Sequence, residues 1–422
     1  MRIPSFSNIS FRMRRGDEIL MYLLGLFSSW QILQFAGFSL STLLTVFTAG
    51  YLILTHGFSS FRKDWLLIAM PLSIIATFAV SMIASLPAGY IKASVSGTLQ
   101  WGFIFIICIY MRQSSDTRCT SSFFRGLDLS CKVQIFWCLL QVVAYYALKL
   151  DINAKLFGEL LHMNNETSQY RHGVLVCTGL HWHAANMIPV LVYLYFRYPK
   201  LLWKGLCLLV MYFTKNATAI IALGMSVCLD ILHFFLKTIR QNNASVAQKI
   251  LAWVMAGICL TSLAMPLIFP KIKEMIEYLL LRLYQINNPS YGNESSAVHF
   301  NYYRLLPQIL IGISPLCALF GSGIGTSGHW FSVFENQYPD AIWIVESDPV
   351  NIILSQGLLG ATLHYLFIFY CIWQLFRRQQ NYRAFFLLVL FICGFVYNNQ
   401  LLWVLLVELM MYCQARSPQS IR

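Results

Sequence analysis

The stretch WLLIAMPLSIIATFAVSMIA, residues 65–84, holds twenty positions without one charged side chain. As an α-helix it would reach about 30 Å, the thickness of a bilayer's hydrocarbon core. A helix on a soluble domain is apolar along one stripe only, so a run that is apolar all round points to lipid. Comparable runs recur near 19–35, 37–55, 97–111, 133–150, 174–196, 200–214, 217–236, 250–269, 347–374, 384–397 and 398–414. The expectation is an all-α polytopic membrane protein of about twelve transmembrane helices. Composition agrees: 58% of residues are hydrophobic and 11% charged, with a mean hydropathy of +0.61, which excludes a water-soluble fold.

Arg12, Arg14 and Arg15 precede the first apolar run. No small-residue cleavage site closes that run, so it reads as an uncleaved first helix. The formal net charge of +13 would invite a nucleic-acid partner in a soluble chain. Here topology explains it better, and no nucleic acid is inferred. With the N-terminus in the cytoplasm, alternation through twelve spans puts Arg62, Lys63, Arg112 to Lys132, Arg197 to Lys204, Lys237 to Lys249 and Arg377 to Arg383 inside, along with both termini. Most of the 30 lysines and arginines then face the cytoplasm, as topology rules require. The twelve cysteines, Cys108, Cys138, Cys207 and Cys228 among them, sit mostly in apolar runs without CxxC spacing, which indicates neither a disulfide framework nor a zinc site.

On this topology the whole chain, 1–422, is one transmembrane domain with two extracytoplasmic loops, 151–172 and 270–346. The second is far longer than a helix hairpin needs. It opens on an amphipathic stretch, Lys271 to Tyr284, and continues into the apolar run Leu305 to Phe320. Pro307, Gly312 and Pro315 interrupt that run, so a re-entrant or surface-lying helix is expected there.

Chemistry-bearing residues concentrate on the outer side. Arg171 and His172 end the first loop, Lys215 stands in a tight turn between two spans, and Arg304 opens the re-entrant run. Cations at membrane depth are costly unless they meet an anion, which suits them to phosphate; snorkelling or local pairing would explain each alone. Glu346 and Asp348 stand before the span at 347–374, with Pro349 suited to a first helical turn. One reading makes Asp348 a helix cap and leaves Glu346 in solvent; the other makes one of them a base acting on a hydroxyl. Gly321, Gly323 and Gly325 form a glycine run followed by His329, which suits either a turn or close approach to an anion. His181 and His183 flank Trp182 at a spacing that separates helical faces, so no metal is expected. Glu408 falls inside the last span, where it is expensive unless paired or wetted. Trp330, Tyr338 and Trp343 could stack on sugar rings.

Read in order, Arg171-His172-Gly173, Thr214-Lys215-Asn216-Ala217-Thr218, Arg304, Gly321-Ser322-Gly323-Ile324-Gly325 and Glu346-Ser347-Asp348 with Asn351, Gly357 and Gly360 resemble the O-antigen polymerase and ligase superfamily. The likeness covers roughly 170–375. Ligases of that superfamily resemble one another in a histidine where this chain reads Glu346-Ser347-Asp348, and that departure favours the polymerase. Lys215 stands where the family turn usually carries arginine, keeping charge but losing the planar fork. The resemblance implies a bundle like that of the GT-C glycosyltransferases, in the bacterial inner membrane, working without metal or other cofactor. It further implies transfer of a glycan from undecaprenyl diphosphate to an incoming lipid-linked repeat at the periplasmic face, with a chain-length regulator as partner. Arg171, Lys215 and Arg304 would hold diphosphate, Glu346 or Asp348 would serve the acceptor hydroxyl, and His172, Gly323, Gly325 and His329 would touch substrate. A ligase acting on lipid A core is the nearest alternative. A lipid-linked oligosaccharide flippase, which also has about twelve spans, is a more distant one.

Overall fold

The computed structural model describes residues 14–35, 38–57, 65–113, 117–162, 169–171, 174–181, 183–240, 294–335, 344–397 and 402–415. The expected span at 250–269, the amphipathic stretch 271–284, His172, Trp182, Tyr338 and Trp343 lie outside these residues. The chain divides into two compact units, Met1–Ser226 with Ile309–Arg422, and Val227–Gln308.

The helices, in chain order, are α1 (Arg15–Phe27), α2 (Leu40–His56), α3 (Trp65–Ile83), α4 (Ala88–Gln113), α5 (Arg118–Leu148), α6 (Ile188–Arg197), α7 (Leu201–Thr214), α8 (Ala217–Arg240), α9 (Glu294–Gly312), α10 (Pro315–Phe320), α11 (Ser327–Glu335), α12 (Asp348–Arg377), α13 (Asn381–Gly394) and α14 (Leu402–Ala415). Two small antiparallel hairpins join them: β1 (Gln34–Phe35) with β2 (Phe38–Ser39), and β3 (Gln169–Arg171) with β4 (Val174–Val176). In α4, α5, α12 and the Thr218–Phe235 part of α8, the described residues are long and apolar enough to cross a bilayer. Shorter apolar helices include α2, α7 and α13. The protein is a helical, membrane-embedded chain.

Lipid offers no hydrophobic drive for one helix to leave it for another, so association depends on close approach and small residues. The crossing of α1 with α5 follows that rule. A β-carbon on Gly25 would overlap the Phe123 carbonyl, and one on Gly126 would overlap the Tyr22 carbonyl. Arg118 pairs with Glu18 at 3.3 Å at one end of the contact, and Ser29 bonds Ser130 at 2.7 Å at the other. This packing carries α5 back to Arg118, so the segment expected as a loop at 112–132 is mostly helix.

The expected span at 174–196 is not one helix. Val174–Val176 is strand, Ala184–Met187 is a 3-10 turn, and regular α-helix begins only at Ile188, with Pro189 in its first turn. Gly179 adopts φ +62°, a conformation that breaks a helix. Side chains of α5 satisfy the freed amides: Gln141 Oε1 accepts from Gly179 N at 3.0 Å, and Gln134 Oε1 from Leu180 N at 2.6 Å. Without such partners, unpaired peptide groups at this depth would cost several kcal/mol each.

The span expected at 347–374 is present as α12 but is broken at Gly357, where φ is +72°. The glycine run caps the break. Ser322 N donates to Leu354 O at 3.2 Å and Gly323 N to Ser355 O at 2.9 Å. Gly321 and Gly357 lie back to back, each so close to the other strand of chain that a β-carbon would overlap backbone.

Helix contacts define two ends of the first unit. At the upper end α5 and α7 finish, at Leu148 and Thr214. At the lower end α6 finishes and α7 begins, and the start of α13 joins them: Phe196 meets Tyr382 and Phe385 with ring centroids 6.2 and 5.8 Å apart.

Candidate functional site at the upper end of the bundle

The β3–β4 hairpin carries Arg171 paired in register with Val174. Its exit is stitched to the last turn of α7, where Cys177 N donates to Phe213 O at 3.0 Å. Two residues further on, Lys215 caps α7 in the left-handed region, φ +49°, with its ammonium 3.9 Å from the centre of the Tyr212 ring. The exit of the hairpin and the end of α7 are thus joined. On the hairpin's other flank, Tyr170 donates to Asp151 Oδ2 at 2.5 Å, and Asp151 Oδ1 accepts Ala154 N at 3.1 Å. Partial burial, and then the Asp151 contact, push the Tyr170 hydroxyl up to about 12, so it stays a donor.

From the hairpin a series of contacts runs to Tyr397. Gln169 Oε1 accepts Ala184 N at 3.0 Å, fixing the turn that presents Asn186. Asn186 Nδ2 donates to Gln31 Oε1 at 2.8 Å, and its Oδ1 accepts from the Tyr397 hydroxyl. Gln31 Oε1 also meets His181 Nδ1 at 3.2 Å. Tyr397 lies within electrostatic reach of both Glu346 and Asp348. The hairpin that bears Arg171 is therefore linked to Tyr397, which has Glu346 and Asp348 within electrostatic reach.

The two carboxylates differ. Glu346 is exposed. Asp348 is the first residue of α12 and follows Ser347, the actual N-cap, whose side chain makes no capping bond. Gly394 makes room for it, since a β-carbon there would overlap Asp348 Oδ2. Asp348 also lines an inner cavity of about 30 Å³ together with Trp101, His364, Tyr365 and Glu408. That volume has room for about two waters. His364 is 5% exposed and Glu408 9%. Sequence reading singled out Glu408 by its charge within a span but passed over His364, because a lone histidine in an apolar run carries no signal. Tyr397, Asn186 and Gln31 were equally illegible, since only the fold gathers them.

The glycine run and His329 are taken up in packing within the first unit. Gly323 is buried with its amide engaged by Ser355 O, and a β-carbon on it would overlap Ser94. Gly325, φ +84°, packs on Ala93. The run thus faces inward as a helix-break cap. Asn351 Oδ1 accepts Ser327 Oγ at 2.7 Å and Ser355 Oγ at 3.2 Å, tying the run to α12. His329 is half-buried between the rings of Tyr90 and Trp330, with centroids 5.2 and 4.9 Å away. Burial holds its imidazole below the ordinary histidine value. Arg304 is exposed on α9, in the second unit. Among the described residues no group of three or more His, Cys, Asp or Glu is placed to hold a metal ion. No protein-family model matches this sequence, and no curated protein matches it either.

Proposed function

We propose that this chain is a polysaccharide polymerase of the bacterial inner membrane, transferring a growing glycan from undecaprenyl diphosphate to a lipid-linked repeat at the periplasmic face. The observation that carries the reading is the hydrogen-bonded link from the Arg171 hairpin through Gln169 and the turn at Ala184 to Asn186 and Tyr397, with Glu346 and Asp348 within electrostatic reach of Tyr397. It joins cations suited to a diphosphate with carboxylates suited to a sugar hydroxyl. The upper end is the periplasmic one in this reading, and the cation-rich lower end the cytoplasmic one. The chain would cross the membrane about twelve times, with both termini inside and the loops 151–172 and 270–346 outside.

The leaving group is a lipid diphosphate, already a stabilised anion, so catalysis needs mainly alignment and charge stabilisation. Arg171 and Lys215, with Arg304, hold the diphosphate. Glu346 or Asp348 accepts the acceptor's hydroxyl proton as its oxygen attacks the donor's anomeric carbon and the bond to diphosphate breaks. A chain-length regulator is the expected protein partner.

A flippase of lipid-linked oligosaccharides is the second reading. It is favoured by the break in α12 and the cavity bearing Asp348, His364 and Glu408, because broken helices and intramembrane carboxylates recur in transporters. One strain separates the polymerase from both alternatives. Deleting the gene should leave a single repeat on lipid A core, whereas loss of a ligase or a flippase leaves bare core. In complementation, Arg304→Glu and Lys215→Glu should each abolish the long-chain ladder with protein still in the membrane, and Lys215→Arg should restore it. A normal ladder from both reversals would refute the diphosphate assignment.

A further inference from the structure

At the lower end of the first unit a second pocket, of about 210 Å³, opens between α6 and α13. Tyr193, Phe196, Phe386 and Met411 supply its apolar wall, and Arg197, Arg383, Gln379, Gln380 and Asn381 its polar rim. The two arginines are not equivalent. Arg197 is neutralised by Asp128, which it grips through Nε and Nη2 at 3.0–3.1 Å, and Tyr193 donates to the same carboxylate at 2.6 Å. Arg383 is mostly buried, yet its donors reach only amide oxygens among the described residues: Gln380 Oε1 at 3.0 Å and Gln414 Oε1 at 2.7 Å, both from Nη1. Its guanidinium lies 5.0 Å from the centre of the Phe124 ring. Among the described residues the Arg383 guanidinium hydrogen-bonds to no carboxylate, nearby Asp128 being engaged by Arg197 and Tyr193, and the start of α13 adds the partial positive charge of a helix N-terminus to this concave, partly apolar site.

The geometry points to a binding site for the phosphate of an anionic lipid, with the Arg383 fork and the first turn of α13 on the phosphate and the Tyr193, Phe196, Phe386 and Met411 wall against the glycerol and upper acyl chain. A free inorganic anion would satisfy the charge but leave the apolar wall unused. A zwitterionic lipid would bring a second cation beside Arg197 and Arg383. Neighbouring cations keep that end attractive to an anionic leaflet: Lys132 lies 4.4 Å from the Tyr198 ring centre, and Lys204 lies 4.8 Å from that of Tyr195. The site is separate from the proposed glycan chemistry. It lies at the other end of α7, a helix of 14 residues, and so about 20 Å away.

The test is native mass spectrometry of the purified full-length protein in micelles, with phosphatidylglycerol or phosphatidylcholine of matched chains added. Wild type should retain phosphatidylglycerol in preference to phosphatidylcholine. Arg383→Gln should lower that retention about tenfold, as loss of a charge-assisted contact does. Because Arg383 also ties Gln380 to Gln414, a second variant leaves it in place: Gln379→Glu, on the exposed rim, brings a carboxylate into the pocket and should lower retention comparably with helicity unchanged by circular dichroism. Equal retention of phosphatidylglycerol by wild type and Gln379→Glu would overturn the site, as would equal retention of the two lipids by wild type. A parallel melt in lipid-free micelles with sodium phosphate separates the sources. Stabilisation of wild type by inorganic phosphate to the extent given by phosphatidylglycerol would overturn the assignment to a lipid.

Discussion

His329 shows how one side chain reports its surroundings. Packed between Tyr90 and Trp330, it is held below its ordinary value of 6.5 by burial, so the folded protein resists a proton that the unfolded chain accepts. Its contribution to stability is whole above 6.5 and drains away as the pH falls below it. The apparent melting temperature in detergent should therefore drop on acidification, and His329→Gln should flatten that slope. Identical acid slopes for the two proteins would show that the imidazole is not the group responsible. Among the other candidate residues, charge was legible and company was not. Arg171, Lys215, Glu346 and Asp348 stand out in a chain with 11% charged residues, but the uncharged Gln169, Asn186 and Tyr397, which the fold links to one another, are ordinary in sequence.

At the scale of elements, the irregular stretches of chain are the informative ones. The break in α12 releases the carbonyls of Leu354 and Ser355, and the Gly321–Gly325 run donates its Ser322 and Gly323 amides to them. Gly357→Ala should thus act twice, by straining a backbone at φ +72° and by pushing a methyl group into the Leu319 carbonyl and Gly321 amide. Gly126→Leu should wedge α1 from α5 through the Tyr22 carbonyl. Overpacking of this kind costs about 1–3 kcal/mol or more, so both variants should melt several degrees below wild type. A Gly126→Leu protein of wild-type melting temperature would mean that the α1–α5 crossing is not a close one. The sequence reading of the glycine run left a turn and an anion cradle equally open. The choice of the turn rests on Gly323 N and Ser322 N pointing at α12, which no local pattern encodes.

For the molecule as a whole, the arrangement of the ends can be tested directly. Single cysteines placed at Arg171 and Lys215, in a background whose native cysteines have been replaced, should react with a membrane-impermeant maleimide added to spheroplasts. Cysteines at Arg377 and Arg197 should react only after the membrane is opened. Labelling of both sets from the same side would contradict the alternation of the helices and, with it, the periplasmic placement of the proposed chemistry.

Apolar length, charge scarcity and the positions of glycine and proline were enough for the sequence alone to determine a helical membrane protein and most of its helices, because in lipid each helix must satisfy its own backbone and advertise that in about twenty unbroken apolar residues. Where the chain departs from that economy, at 177–187 and at Gly357, its peptide groups find partners distant in sequence: Gln134 and Gln141 for the first, Ser322 and Gly323 for the second. Those departures, and with them the linking of the Arg171 hairpin to Tyr397 and the placing of Arg383 in its pocket, were decided only by the tertiary structure, since they consist of hydrogen bonds and close approaches between segments that no local spacing relates.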